Sequence, residues 1–255
     1  MKVLNFKNYA IMLLAIFAAV STTGCSKDDD DHDHDGTGHV HVYFSNKYDG
    51  VAQTSTATYT GTNGRDFKIA INNYYISNVR LVDHDGAEVP FTGQYLLAKT
   101  GENNELELEG IAAGHYHHIR FDVGIDSVTN HSDPSTYAST SPLAPTTPSM
   151  HWSWNSGYIF YRIEGLVDTS AAKNGTVDGA WEMHLGTDSK LASVELDIDL
   201  EISEGSHPGL NITMNTEDLF TNIDLGGADI ATHTMDNMPL ANKLKANIAT
   251  AFTVE

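Results

Sequence analysis

The chain has 255 residues, of which 34 are acidic, 14 are basic and 13 are histidine, so its formal net charge at pH 7 is −20. A surface of that sign repels nucleic acids and anionic lipid headgroups and attracts cations, so we expect no nucleic-acid partner. Hydrophobic residues make up 40% of the chain, which is enough to build a core and excludes disorder throughout.

Residues 1–24 predict a secretory signal peptide. Two lysines precede an apolar run at residues 10–20, and this run is shorter than the ~20 residues that a membrane-spanning helix needs. Cys25 is the single cysteine and directly follows Gly24, an arrangement that resembles the lipobox of bacterial lipoproteins. It predicts a lipid anchor in the outer membrane through Cys25, which would leave no cysteine for a disulfide. The alternative is plain cleavage that leaves a free thiol.

Residues 25–38 predict an acidic tether. An Asp-rich, low-complexity run cannot offset the entropy cost of ordering by burying apolar surface, so we expect a solvated segment. The run resembles the acidic stretch after the lipidated cysteine of surface-exported lipoproteins in Bacteroidetes-type bacteria, which implies exposure at the cell surface. Histidines at positions 32, 34, 39 and 41 lie in or next to it, so both a hydrophilic spacer and a metal-capturing tail remain open.

The hydrophobic pattern of residues 39–255 predicts one domain of many short strands. Apolar and polar residues alternate most regularly from Val194 to Ile202, and the same period of two occurs at residues 40–44 and 119–125. Such alternation places one strand face on a core and the other in water. The predicted fold class is therefore all-β, an antiparallel β-sandwich. Further strands are predicted at residues 67–71, 74–82, 95–98, 105–109, 158–165, 180–185 and 210–214.

Three segments depart from the strand pattern. Residues 127–150 are rich in Ser, Thr and Pro and have no periodicity, which is typical of a functional loop or a linker. Residues 239–252 place four apolar side chains at a spacing of four, ending with Phe252, which predicts a short C-terminal helix. A shorter helical turn is predicted at residues 216–220.

Two of the three tryptophans lie in one short segment, MHWSWNSGYIFYRIEG, which begins at Met150. Trp152 and Trp154 are two residues apart, so their indoles point to the same face of an extended backbone. His151 lies directly before them, and the long loop leads straight into this segment. A packed aromatic cluster in the core is the structural interpretation of this pattern.

Two further histidines are candidate metal ligands. His184 lies in a predicted strand and shares a face with Glu182, and His233 lies near the C-terminus. Imidazole is a ligand that copper accepts, although a single histidine on a strand is more often an ordinary polar residue. The sequence contains no Gly-rich phosphate loop, no Gly-x-Ser-x-Gly elbow and no His-Glu-x-x-His motif, so an enzymatic function ranks low.

The order of these motifs resembles that of the MbnP-like family, a group of secreted copper-binding proteins associated with methanobactin operons. The resemblance covers about residues 40–255 and rests on Met150-x-Trp152-x-Trp154-x-x-Gly157-Tyr158, Glu164-Gly165 and His184-Leu185-Gly186, with agreement at residues 74–79, 85–86, 114–126 and 247–248.

The resemblance implies that Trp152 or Trp154 is oxidised to kynurenine by a partner di-haem-type peroxidase. An intact indole N–H is only a hydrogen-bond donor, whereas the opened ring has an amine that joins histidines at a copper ion. On this chain the implied ligands are His184 and the modified tryptophan, with His151 and His233 as further candidates. The implied function is copper uptake, storage or handover by a lipid-anchored protein that is not itself an enzyme.

Two other interpretations remain open. A structural or adhesive sandwich would bind polymer or a partner protein through aromatics such as Tyr43, Tyr48 and Tyr59 and would have no metal site. It predicts an exposed aromatic platform, whereas the copper interpretation predicts that histidines converge on the tryptophans. Capture of zinc or calcium by the tether is the third interpretation, in which deleting residues 26–38 abolishes metal binding.

Overall fold

The computed structural model describes residues 36–153 and 157–255. The predicted signal peptide, Cys25, most of the predicted tether and Trp154 lie outside the described residues. The strands, in chain order, are β1 (Thr37–Tyr48), β2 (Val51–Ala52), β3 (Tyr59–Thr60), β4 (Asp66–Asp83), β5 (Glu88–Phe91), β6 (Leu96–Lys99), β7 (Asn104–Ala112), β8 (Gly114–Val123), β9 (Ile159–Val167), β10 (Gly179–Gly186), β11 (Ala192–Ile202), β12 (Gly209–Asn215), β13 (Ala231–His233) and β14 (Phe252–Val254).

The smaller sheet is built around β1, whose alternating sequence buries only one face. Val40, Val42 and Phe44 are buried, and the residues between them are partly exposed. β1 pairs antiparallel with β7 and β2 and parallel with β12, and β14 pairs with the far side of β12. The strand begins at Thr37, two residues before the predicted start of the domain at His39.

The larger sheet has the order β11–β8–β4–β9–β10–β13, and β3, β5 and β6 also pair with β4. The predicted strands at residues 67–71 and 74–82 are one strand, because β4 continues through both. The alternation from Val194 to Ile202 is confirmed, with a register shift between Asp197 and Leu200 where β11 pairs with β8.

Aromatic side chains join the two sheets face to face. Phe44 and Phe252 come from the smaller sheet, and Tyr74 and Phe121 come from the larger one. The ring centroid of Phe121 is 5.5 Å from that of Phe44 and 5.2 Å from that of Phe252, and Tyr74 also packs against Phe252. The predicted all-β sandwich is therefore confirmed. Most pairs are antiparallel, but β1–β12 and β10–β13 are parallel. Parallel pairing needs a long connection, and in both cases a long stretch of chain separates the paired strands.

The C-terminal helix is shorter than its hydrophobic spacing predicts. Helix α2 (Met238–Ile248) is capped by Asn237 and buries Leu240, Leu244 and Ile248, which confirms a short C-terminal helix. The prediction that it continues to Phe252 is wrong, because Phe252 begins β14 and enters the core as a strand residue. The predicted turn at residues 216–220 is confirmed as a 3-10 helix.

The loop at residues 127–150 is anchored at both ends. It begins with the one-turn helix α1 (Ser127–Asn130), and Met150 is buried at its end. Tyr75 and Tyr158 donate hydrogen bonds from their hydroxyls to backbone carbonyls of the loop, at 3.1 and 2.8 Å. The carbonyl of Met150 accepts a hydrogen bond from the backbone N–H of Ile159 at 2.8 Å, which holds the end of the loop where the chain enters Trp152. No helix within the described residues is long and apolar enough to cross a membrane.

Candidate metal centre

Strand pairing brings two histidines together at the β13 edge of the larger sheet. β10 lies between β9 and β13, and its register places His184 beside Arg162 on one side and beside His233 on the other. The two imidazole centroids are 5.0 Å apart, with the rings edge to face. The parallel β10–β13 pair therefore joins histidines that are far apart in the sequence.

Carboxylates surround both imidazoles. The Nε2 atom of His184 is 2.6 Å from Oε1 of Glu164. The Nε2 atom of His233 is 3.2 Å from Oε1 of Glu182, and its Nδ1 atom is 2.9 Å from Oδ2 of Asp236. One potential ligand atom from each of Glu182, His184 and His233 lies within 4.8 Å of the other two. These separations are in the range from which side chains can close on a transition-metal ion with bonds of ~2.1 Å.

The electrostatics of this group favour a cation. Burial would raise the pKa of the Glu164 carboxyl, but hydrogen bonds from His184 and Arg162 and their charges outweigh it and lower that pKa to about 2. Burial likewise opposes ionisation of Asp236, but hydrogen bonds from the backbone and ring of His233 lower its pKa below the usual value. Both carboxylates are therefore ionised at neutral pH. Arg162 offsets the charge of Glu164 at 2.5 Å, so the charge of Asp236 is the one that favours a cation at this edge of the sheet.

The indole of Trp152 lies against the two histidines. Its ring is 6.0 Å from that of His184 and 6.3 Å from that of His233, measured between centroids. Trp152 is 6% exposed and His184 is 6% exposed, so this side of the group is shielded from water. A Cβ atom at Gly186 would lie 2.6 Å from Nε1 of Trp152 and 2.6 Å from the carbonyl oxygen of Tyr158. Glycine at this position therefore allows the indole to approach β10.

Thr234 fixes the end of β13 next to the histidines. Its buried hydroxyl accepts a hydrogen bond from the backbone N–H of Gly186 at 2.9 Å and donates one to the carbonyl of His184 at 3.0 Å. The residue has a φ of 72°, which is uncommon for a β-branched side chain. One threonine therefore ties the end of β13 to the backbone of β10 beside His184.

His151 does not join this group. Its Nδ1 atom is 2.9 Å from the carbonyl oxygen of Trp152, and its Nε2 atom accepts a hydrogen bond from the backbone N–H of Gly157 at 3.2 Å. Its ring packs against Tyr158, 5.2 Å away. Neighbouring residues of an extended segment point to opposite faces, which explains why His151 and Trp152 separate. Trp154, the other predicted site residue of this segment, lies outside the described residues.

The aromatics considered for an adhesive surface are partly buried. The rings of Tyr48 and Tyr59 are 4.4 Å apart, and both pack against Phe67. Tyr43 lies beside His41, with ring centroids 6.3 Å apart. Tyr48 and Tyr59 thus form an edge of the core rather than an open platform.

Sequence reasoning did not assign three acidic residues of the centre. Glu182 was recognisable from its i, i+2 spacing with His184, and Asp236 follows His233 by three residues, a spacing typical of a turn that folds back on its own side chain. Glu164 had no such local signal, because it reaches His184 only through the β9–β10 register. The amino-acid sequence does not show which distant strands pair, so it could not place Glu164 beside His184.

The fold and this group define a β-sandwich protein with a histidine–carboxylate centre beside a buried tryptophan. The MbnP family model matches residues 37–238, so the chain belongs to the MbnP family, and the resemblance inferred from the motifs is confirmed. The solved structure of MbnP from Methylosinus trichosporium is similar, with a TM-score of 0.57 and 15% sequence identity over 82% of this chain and 87% of that chain. At this identity the likeness shows the fold alone. No curated protein matches the sequence.

Proposed function

We propose that this protein binds a copper ion through His184, His233 and a kynurenine formed from Trp152. The observation that carries the proposal is the convergence of two imidazoles on one tryptophan, with all three rings within 6.3 Å of one another. Family membership supports the same chemistry. The protein would take up, store or hand over copper as a lipoprotein of the outer membrane, anchored through Cys25 and exposed at the cell surface.

The modification supplies a ligand that the unmodified chain lacks. An intact indole N–H donates a hydrogen bond but offers no lone pair to a metal, whereas ring opening to kynurenine produces an aromatic amine. In this proposal a partner haem peroxidase supplies the oxidising equivalents for a four-electron oxidation, in which the indole C2–C3 bond is cleaved and each of the two carbons gains an oxygen atom. Hydrolysis then releases C2 as formate and frees the aromatic amine, so this chain acts as the substrate of that reaction. The protein itself catalyses nothing.

The carboxylates next to the histidines would orient the ligand atoms. Asp236 holds Nδ1 of His233, so Nε2, which faces Oε1 of Glu182 at 3.2 Å, is the nitrogen that would bind the ion. Glu164 holds Nε2 of His184, which would leave Nδ1 as the ligand atom of that ring. Carboxylates that hold ligating imidazoles fix their tautomer and raise their basicity. Since imidazole must be deprotonated to ligate, copper affinity should fall as the solution is acidified.

The first test is the mass of the mature protein and its peptides from the native host, with metal analysis of the same sample. We expect kynurenine at Trp152 and copper near one equivalent per chain. Unmodified tryptophans and no copper, in cells that contain the partner peroxidase, would contradict the proposal. The structural or adhesive interpretation would then take its place.

The ligand assignment is tested with His184→Ala and His233→Ala. Each should lower copper affinity at least about tenfold, because even residues that only orient a ligand contribute 10- to 100-fold. His151→Ala is the matched control, since this histidine adjoins Trp152 but lies outside the group, and it should keep the copper affinity of the parent protein. Unchanged copper binding by His184→Ala would rule out this centre.

A further inference from the structure

A second group of histidines lies on the other sheet, away from the centre beside Trp152. His39 is on β1 and His207 precedes β12, and their ring centroids are 4.8 Å apart. Glu107 and Glu109 on β7 complete the group: one ligand atom from each of His39, Glu107 and Glu109 lies within 4.8 Å of the other two. Three potential ligands, His39, Glu107 and Glu109, thus meet on the outer face of the smaller sheet, with the ring of His207 packed against that of His39.

The backbone fixes the two histidines next to each other. The N–H of His39 donates to the carbonyl of Ser206 at 2.9 Å, and the N–H of His41 donates to the carbonyl of Pro208 at 3.0 Å. These bonds lie on either side of His207 and extend the parallel β1–β12 ladder, whose register begins with His41 opposite Gly209. His39 and His207 are therefore cross-strand neighbours, whose side chains share one face.

A β-bulge on the other side of β1 positions the carboxylates. The β1–β7 register changes between Gly38 and Val40, so Glu109 and Gly110 together face His39. Gly110 has a φ of 69°, a conformation that glycine adopts without strain. A bulge of this kind re-aims the side chain beside it. Glu107, the next acidic residue on that face, places Oε1 3.5 Å from Nδ1 of His39.

We propose that His39, His207, Glu107 and Glu109 form a second metal site, which binds a divalent cation of the zinc class. His39, Glu107 and Glu109 supply three nitrogen and oxygen ligands, and the neighbouring imidazole of His207 would supply the fourth ligand of a tetrahedral zinc site. Calcium is a poor match, because it takes six to eight oxygen ligands and does not select imidazole. The site is independent of copper and of any tryptophan modification.

The test uses Zn²⁺ and the full mature chain, in a background that silences the other candidate sites. That background carries His32→Ala, His34→Ala, His184→Ala and His233→Ala. Isothermal titration should show one tight zinc equivalent that the double variant His39→Ala/His207→Ala loses, or binds at least about tenfold more weakly. Co²⁺ in place of Zn²⁺ should give the visible spectrum of a tetrahedral site in the background protein and not in the double variant.

Two further variants keep the test decisive. Glu109→Gln changes an exposed carboxylate without disturbing the core, so it should weaken zinc binding while the far-UV circular dichroism stays the same. His115→Ala/His117→Ala is the matched control, because it removes another pair of neighbouring histidines, 4.6 Å apart, on β8. Zinc binding that survives in His39→Ala/His207→Ala, is lost in His115→Ala/His117→Ala, or is displaced by equimolar Ca²⁺ would overturn the proposal.

Discussion

At the scale of single residues, the centre beside Trp152 depends on one glycine as much as on its histidines. Gly186 ends β10 two residues after His184, and its backbone lies where the Trp152 indole and the Tyr158 carbonyl both approach. The i, i+2 spacing of Glu182 and His184 correctly placed their side chains on one face of the strand. No pattern in the sequence around Gly186 indicates its steric role, because that role arises from Trp152 and Tyr158, which belong to a distant segment that packs across the strand.

Gly186→Ala should therefore destabilise the protein and displace the indole. The added methyl would lie 2.6 Å from both the indole nitrogen and a backbone oxygen, and overpacking of this kind costs typically about 1–3 kcal/mol. Urea denaturation measures the loss in the free energy of unfolding, and near-UV circular dichroism reports the displaced Trp152.

Gly114→Ala is the control for that substitution, because a Cβ atom there meets no atom within 4 Å. We expect its free energy of unfolding to stay within about 0.5 kcal/mol of the parent protein. Equal effects of the two substitutions would show that Gly186 owes its place to backbone propensity rather than to the approach of the indole.

At the scale of elements, the loop at residues 127–150 is held by a carboxylate at its first turn. Asp126 accepts hydrogen bonds from the Tyr95 hydroxyl at 2.6 Å and from the backbone N–H groups of Val128 and Thr129 at 3.1 and 3.0 Å. Burial opposes ionisation of this group, but these hydrogen bonds outweigh it and lower the pKa of Asp126 below its usual value. The sequence showed a Ser/Thr/Pro-rich loop, but only the structure shows what anchors it.

Asp126→Asn should lower the free energy of unfolding by about 1 kcal/mol at neutral pH, because it removes the charge from three hydrogen bonds. A carboxyl whose folded pKa is depressed stabilises the protein fully above its unfolded pKa, and that contribution is lost as the pH falls through the folded pKa. The difference between parent and variant should therefore be constant above about pH 5 and shrink below about pH 4.

Urea denaturation of both proteins from pH 7 to pH 3 measures that difference directly. Other titrating groups are shared by the two proteins and cancel in the comparison. A difference that stays constant down to pH 3 would show that the Asp126 carboxylate contributes no charge-assisted stability to the loop.

At the scale of the whole molecule, the question is whether metal binding resides in the folded domain or in the acidic segment before it. β1 begins at Thr37, and the carbonyl of Gly36 already accepts a hydrogen bond from the N–H of Ala113 at 3.0 Å. A deletion that ends at residue 35 therefore removes the acidic run and spares the first strand, whereas one that ends at residue 38 would cut into the sheet.

Deleting residues 26–35 should leave copper stoichiometry and thermal stability unchanged if the centre beside Trp152 binds the metal. Copper analysis of the purified protein and its melting temperature with and without copper measure this, since a ligand that binds only the folded state raises the melting temperature. Loss of copper with an intact fold would instead assign the metal to the Asp- and His-rich segment.

The sequence by itself determined the features that depend on near neighbours. Period-two alternation defined the strands and their buried faces, spacing of four defined the C-terminal helix, and the order of the tryptophan and histidine motifs identified the family. The helix end at Ile248 was missed, because an apolar residue at the right spacing, Phe252, belongs instead to a strand of the core.

Only the tertiary structure decided which distant residues meet. His184 and His233 are neighbours because β10 and β13 pair in parallel, and Glu164 reaches His184 through the β9 register. His39 and His207 meet in the same way along β1. Strand register over such separations is set by the packing of the whole sandwich and by the loops that return the chain, and a local pattern of side chains does not record it.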